Sequence, residues 1–347
     1  MKTIPHSQPT LGREEKKACA AVIDSLYLAS GPIVAVFEKQ FARMTHRKYA
    51  IAMSSGTAAL AMVLKALNIG SRDRVAMPSY TCAALLHALD FVGARPVIAD
   101  VSAEDMNLSA VDLKRRLTRK TVALIVPHVF GRAADIRSIL KLGLPVIEDG
   151  TQALGAQAFG KPIGSFGVMS IFSFYATKMI TTGEGGMIVT DSAVLARKLK
   201  DMRDYDKKET YRFRMNFKMS DLQAAVGIEQ LKKLPAFIRA RRTIAKSYSH
   251  AFNKTGLKLP VSSRERDHVY FRYVLRIPNG AAGLLRKLNR QGIEAKSPVF
   301  KPLHRYLGLP DRGYPETVRA TREVCSLPIF PGLSQAAVRS VIQAILE

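Results

Sequence analysis

Apolar positions along the chain repeat with two different periods. Residues 14–29 and 32–44 carry them at helical spacing, divided by Ser30-Gly31-Pro32. Short, β-branched runs then recur at 74–77, 96–101, 122–126, 145–148, 169–174 and 187–190. Between most of these runs the helical period returns, as at Leu60, Val63, Leu64 and Leu67. Strands alternating with helices predict βαβ units and a mainly parallel sheet covered on both faces. Runs that are apolar at successive residues, such as Val122-Ala123-Leu124-Ile125-Val126, fit strands buried on both sides.

After about Asp191 the pattern changes. Stretches 193–203 and 220–252 read as long amphipathic helices, 269–277 alternates as a strand, and 281–291 and 335–346 read as helices. The fold class expected is therefore α/β: a large domain over residues 1–235, including the N-terminal helical segment, and a smaller C-terminal α+β domain over 236–347. No internal repeat is present. A chain of 347 residues is long enough for such a pair, since chains of about 300 residues hide roughly three quarters of their unfolded surface.

Composition adds constraints. Apolar residues make up 47% and charged residues 23%, which excludes disorder as the main state. Cys19, Cys82 and Cys325 are odd in number and far apart, so neither a disulfide framework nor a cysteine metal site is expected. The N-terminus lacks the apolar core of a secretory signal, and the most apolar helical stretch, 58–69, contains Lys65 and is too short to span a bilayer. A cytoplasmic protein is expected. The net charge of +25 attracts polyanions, either nucleic acid, an anionic membrane surface or phosphorylated small molecules. Segment 197–246 is the richest, with 15 Lys and Arg against 6 Asp and Glu. There is no basic block, no Trp, and no helix-turn-helix, zinc-finger or aromatic stacking set, so a nucleic-acid footprint is disfavoured.

Three segments fall at strand ends or helix starts, where ligands bind in an open α/β sheet. Ser54-Ser55-Gly56-Thr57-Ala58 precedes an apolar helix; its small residues and free N–H groups suit a phosphate, and equally an ordinary N-cap. Val146-Ile147-Glu148-Asp149-Gly150-Thr151-Gln152 delivers two carboxylates to the sheet edge. Such an acid suits a ribose hydroxyl, a cationic ring nitrogen or a metal, and a metal ranks lowest because no other ligand cluster lies nearby. The third segment runs from Ile171 to Gly186 and places Lys178 after a buried strand, ahead of Gly183, Gly185 and Gly186. Burial and neighbouring cations lower a lysine pKa, which makes an amine nucleophilic towards a carbonyl.

In this order and spacing the three segments resemble the DegT/DnrJ/EryC1/StrS sugar aminotransferases, pyridoxal-phosphate enzymes of aspartate-aminotransferase fold type I. The resemblance extends to Gly31-Pro32 with Phe37-Glu38, to Val75–Thr81, to Pro127-His128-Val129-Phe130-Gly131, to 216–225 and to Ser326-Leu327-Pro328, nearly the whole chain. It implies that Lys178 carries the cofactor and shuttles the proton, that Asp149 faces the pyridine nitrogen, and that Gln152 lies near the 3-hydroxyl. It further implies a phosphate held by Gly56, Thr57 and Ser173, with Asn216 contributed by the partner subunit of a homodimer with shared sites. The expected reaction moves an amino group from an amino acid, L-glutamate, to a keto group of a nucleotide-linked sugar.

Two departures stand out. Cys82 occupies the position where family members carry a stacking aromatic, and Tyr205-Asp206 replaces a usual His-Gly, followed by Lys207, Lys208, Arg212 and Arg214 as candidate helpers for a diphosphate. The alternatives are a dehydratase of the same fold, which Lys178 disfavours because the deoxysugar-forming kind carries His there, and a non-catalytic regulator or nucleic-acid-binding protein. His128, His304, Tyr80 and Tyr175 border the expected site without an assigned role.

Overall fold

The computed structural model describes residues 3–347. Seven strands form its main sheet: β1 (Tyr49–Met53), β2 (Arg74–Pro78), β3 (Arg95–Ala99), β4 (Thr121–Pro127), β5 (Val146–Asp149), β6 (Met169–Ser173) and β7 (Gly186–Thr190). Their order is β1-β7-β6-β5-β4-β2-β3. The pairs β3–β2, β2–β4, β4–β5 and β5–β6 are parallel, and β7 alone runs antiparallel to its neighbours β6 and β1. The mainly parallel sheet is as expected.

Side-chain alternation splits each strand between two apolar layers. Ile51, Ile125, Ile147, Ile171 and Ile188 face one layer, whereas Ala52, Leu124, Val126, Phe172, Met187 and Val189 face the other. Helix Gly56–Ala66 is apolar nearly all round, and eight of its eleven residues are buried. It packs across β6 and β7. On the opposite face Phe37, Phe41, Phe172 and Phe174 form an aromatic cluster of edge-to-face and tilted pairs that fixes helix Pro32–Met44 to the sheet.

β1 was not among the strands expected. Its sequence, Tyr49-Ala50-Ile51-Ala52-Met53, has a single β-branched residue and runs into the small residues of the following turn. Neighbours supply what propensity does not. The buried Glu38 carboxylate accepts the Ala52 N–H at 2.9 Å, and Arg203 donates to both the Glu38 carboxylate and the Ala52 carbonyl.

Helix Asp221–Phe252 opens at Ser220, as expected, with a capping box in which the Ser220 hydroxyl accepts from the Gln223 N–H. It runs without interruption through Pro235, which removes one helical hydrogen bond but no turn. Leu234 and Phe237 belong to the large core, while Ile244, Tyr248 and Phe252 belong to a second core built on β8 (Tyr273–Arg276), antiparallel to β9 (Val324–Leu327). The alternation at 269–277 thus yields a pairing strand over its last four well-formed residues, the preceding part crossing to the large core through Val269 and Phe271. The N-terminal residues also join the second core. Ile4 bridges to Ile293, and the His6 ring bonds to the Ser326 hydroxyl at 2.9 Å.

Candidate active site

The strand register brings the three chemistry-bearing segments to one sheet edge. Gly186, the first residue of β7, pairs with Met53 on one side and with Ser173 on the other, and Asp149 pairs with Ile171. The turn after β1, the end of β5 and the end of β6 are therefore neighbours. A Cβ on Gly186 would lie 2.3 Å from the Ser55 carbonyl oxygen, so only glycine lets the strands close here. A Cβ on Gly56 would lie 2.8 Å from the Ser173 Cβ.

Of the residues expected at the site, Gly56, Thr57, Asp149, Gln152, Ser173 and Lys178 line one cleft of about 270 Å³, together with Cys82 and Tyr175. The Ser55 hydroxyl caps helix Gly56–Ala66 by accepting from the Ala58 N–H at 3.0 Å. The N–H groups of Gly56 and Thr57, first in that helix, have no intrahelical acceptor, and both residues line the cleft with Ser173, an arrangement that favours an anion. The Asp149 carboxylate is anchored at the strand end by the Thr151 N–H at 3.0 Å. Gln152 accepts from the Phe130 N–H at 2.8 Å, which fixes its amide at the cleft wall.

Burial of the Lys178 amine pushes its pKa below the ordinary lysine value, and Arg272 adds to the depression, while Asp149 and Cys82 oppose it. Its Nζ lies 5.3 Å from the centre of the Phe271 ring, a residue that the sequence pattern did not bring to the site. Phe271 comes from the approach to β8, 93 residues after Lys178. No local signal marks it.

The pair Glu148-Asp149 does not act as a pair. Successive strand residues point to opposite faces, so Asp149 enters the cleft and Glu148 is fully buried on the other side. There its carboxylate accepts from the Gly164, Phe166 and Gly167 N–H groups, the Ser170 hydroxyl and the His128 ring. These contacts, led by His128, hold its pKa below the ordinary carboxylate value despite its burial. His128 accepts the Ala134 N–H on Nδ1 and bonds to Glu148 through Nε2, so both ring nitrogens are committed to structural contacts. His304 is likewise buried and bonded to Ser79 and Asp311. Tyr175 lines the cleft, whereas Tyr80 is buried in an adjoining cluster.

Asn216 is exposed and lies outside the cleft of its own chain. Its neighbour Phe217 ties the loop to the turn after β1 by accepting the Ser54 N–H at 2.8 Å. Of the basic candidates, Lys208 and Arg214 both pair with Asp201, while Lys207 and Arg212 are exposed. Among the described residues no cluster of His, Cys, Asp and Glu has metal-binding geometry, and no helix is long and apolar enough to cross a membrane.

Known proteins share this sequence pattern and this fold. Residues 9–346 match the model of the DegT/DnrJ/EryC1/StrS aminotransferase family. The chain is 33% identical to the spore coat polysaccharide biosynthesis protein SpsC of Bacillus subtilis (strain 168), over 99% of this chain and 96% of that one. It is 32% identical to the GDP-perosamine synthase of Vibrio cholerae, over 99% and 98%. The crystal structure of the aminotransferase TlmJ from Streptoalloteichus hindustanus superimposes with a TM-score of 0.93 at 30% identity, covering 99% of this chain and 97% of that one.

Proposed function

The chain belongs to the DegT/DnrJ/EryC1/StrS aminotransferase family, and from that premise we propose a pyridoxal-phosphate-dependent transfer of an amino group from L-glutamate to a keto group of a nucleotide-linked sugar. The chain is thus an enzyme, and the reading as a non-catalytic regulator falls away. The observation that carries the proposal is the convergence of a buried, pKa-lowered amine, one carboxylate and a free helix N-terminus on a single cleft.

The residues present fit the cofactor. Gly56, Thr57 and Ser173 would hold its phosphate, because the N–H groups are free and no Cβ fills the space at Gly56. Asp149 would keep the ring nitrogen protonated, and Gln152 would border the 3-hydroxyl. When bound, the cofactor supplies an electron sink that stabilises negative charge on the substrate carbon. Lys178 would provide the amine that anchors it and then carry a proton at Nζ; a pKa lowered by burial makes that amine easier to deprotonate. Cys82 leaves one cleft wall without the aromatic face that relatives of this family carry.

The shared dimer site rests on Asn216, an exposed residue outside its own cleft that would complete the partner's phosphate site. A diphosphate substrate is matched in sign by the net charge of +25. The three free cysteines suit a cytoplasmic, reducing setting. Lys178 favours amino transfer over dehydration by the same fold.

The test is the visible spectrum of the protein loaded with pyridoxal phosphate, before and after L-glutamate. A yellow band that bleaches to the pyridoxamine form, and is missing in Lys178→Ala, is the expected result. A band that ignores glutamate overturns the donor assignment, and no band overturns the cofactor assignment.

A further inference from the structure

Val129 and Phe130 form a wall shared by two cavities. One borders Cys82 and Gln152; the other, of about 60 Å³, has no residue in common with the cofactor cleft. This smaller cavity is enclosed by segments 103–106 and 129–132, which follow β3 and β4, by segment 258–261 and by β8. Two of its lining residues, Arg132 and Arg276, are only 3% and 6% exposed. Arg132 donates from Nη2 to Glu104 at 2.7 Å, while its Nη1 stands 3.6 Å from Asp105, beyond hydrogen-bond length. Arg276 donates from Nη1 to the Ala103 carbonyl at 2.8 Å, and its Nε stands 3.7 Å from Glu323. Among the described residues, Nε and Nη1 of Arg132 and Nη2 of Arg276 are buried donors without an acceptor.

The carboxylates at this place are already engaged. Asp105 accepts from Arg266 at 2.8 Å, and Glu104 from Arg132. Lys258 also lines the cavity and, among the described residues, has no carboxylate within 4.0 Å. Arg132, Arg266, Arg276 and Lys258 therefore stand against Glu104, Asp105 and Glu323, one positive charge in excess. His268 adds none, because burial and the Arg132 charge hold it far below the ordinary histidine value, to about 3. Its Nδ1 accepts the Tyr270 N–H at 2.9 Å, so the neutral ring carries its proton on Nε2. Buried donors left unpaired are costly, and one anion with several oxygens would satisfy them together. Phosphate has those oxygens and matches guanidinium forks in bidentate geometry. The volume suits a group of that size, since a single water needs roughly 10–15 Å³.

We propose that Arg132 and Arg276 form a second anion site, apart from the cofactor cleft, that binds a phosphate group. A phosphate held by both arginines ties the turn after β4 to β8. That turn includes Phe130, a non-glycine residue at φ 61°, whose N–H fixes Gln152 at the cleft wall. Occupancy thus braces a strained turn that borders the chamber beside the cleft. The site does not depend on the reaction proposed above and stands or falls separately from it.

The experiment is calorimetric titration of inorganic phosphate into the full chain loaded with pyridoxal phosphate, whose own phosphate then competes for the Gly56 turn. Saturable binding by the wild type is expected, weakened at least about tenfold in Arg276→Gln, the loss of a charge-assisted hydrogen bond. Val261 lines the cavity from an exposed position, 44% accessible. Val261→Phe leaves both guanidinium groups in place, is expected to weaken binding by obstructing the cavity, and serves if Arg276→Gln does not fold. Glycerol 3-phosphate, titrated in the same way, separates the sources of the group. Binding that depends equally on Arg276 assigns the site to a phosphate ester, and failure of the ester where phosphate binds assigns it to the free ion. No saturable phosphate binding by the wild type, or an affinity unchanged in the folded variants, overturns the proposal.

Discussion

The adjacent carboxylates of β5 offer a sharp division between structure and chemistry. Glu148 accepts five hydrogen bonds, from three backbone N–H groups, one hydroxyl and the His128 ring. In Glu148→Gln one oxygen becomes an NH₂ group that faces donors. Two donors are served by each carboxylate oxygen at the least, and each buried donor left without an acceptor costs about 1–3 kcal/mol. The expected loss is about 3–5 kcal/mol, a large share of the roughly 5–15 kcal/mol that stabilises a typical fold. Asp149→Asn keeps its single intrachain bond, from the Thr151 N–H, through the amide carbonyl, so its stability is expected within about 1 kcal/mol of wild type.

Urea unfolding followed by circular dichroism measures both variants. A pH series adds a signed check. The folded-state pKa of Glu148 lies below its ordinary value of 4.5, so its contribution is present above that value and is lost as pH falls through the lower folded value. The wild type is therefore expected to lose more stability than Glu148→Gln across that acid window. Activity should divide the opposite way, with turnover lost in Asp149→Asn. A stability loss below about 1 kcal/mol in Glu148→Gln would refute the buried-acceptor reasoning.

Two further outcomes concern the cofactor side of the cleft. Gly56→Ala places a Cβ 2.8 Å from that of Ser173 and is expected to weaken pyridoxal-phosphate binding about tenfold or more, read by fluorescence titration; unchanged binding would remove Gly56 from the phosphate site. Burial and Arg272 lower the Lys178 pKa, so cofactor loading is expected to rise with pH through an inflection below the ordinary lysine value of 10.5. That inflection should move upward in Arg272→Gln, because the repelling cation is gone, and a stationary inflection would place Arg272 too far from the amine to matter.

The alternation of apolar strands and helices sufficed for the α/β class, since each buried parallel strand must be apolar on both faces and each crossover helix on one. The Ser55-Gly56-Thr57 turn, the acid at the end of β5 and Lys178 could be singled out too, because each residue type stands out at a strand end or helix start in local sequence, and folding brings them to one cleft. Tertiary structure decided the rest. β1 escaped notice because its strand state depends on Glu38 and Arg203, not on its own propensity. Glu148 and Asp149 looked equivalent until the pleat sent them to opposite faces. Phe271, Arg272 and His6 reach the surroundings of Lys178 from opposite ends of the chain, and the contact exists only once the two cores pack together. Local patterns record what a residue needs from its neighbours in sequence, whereas which charges are left without a partner is fixed only by what folding brings beside them.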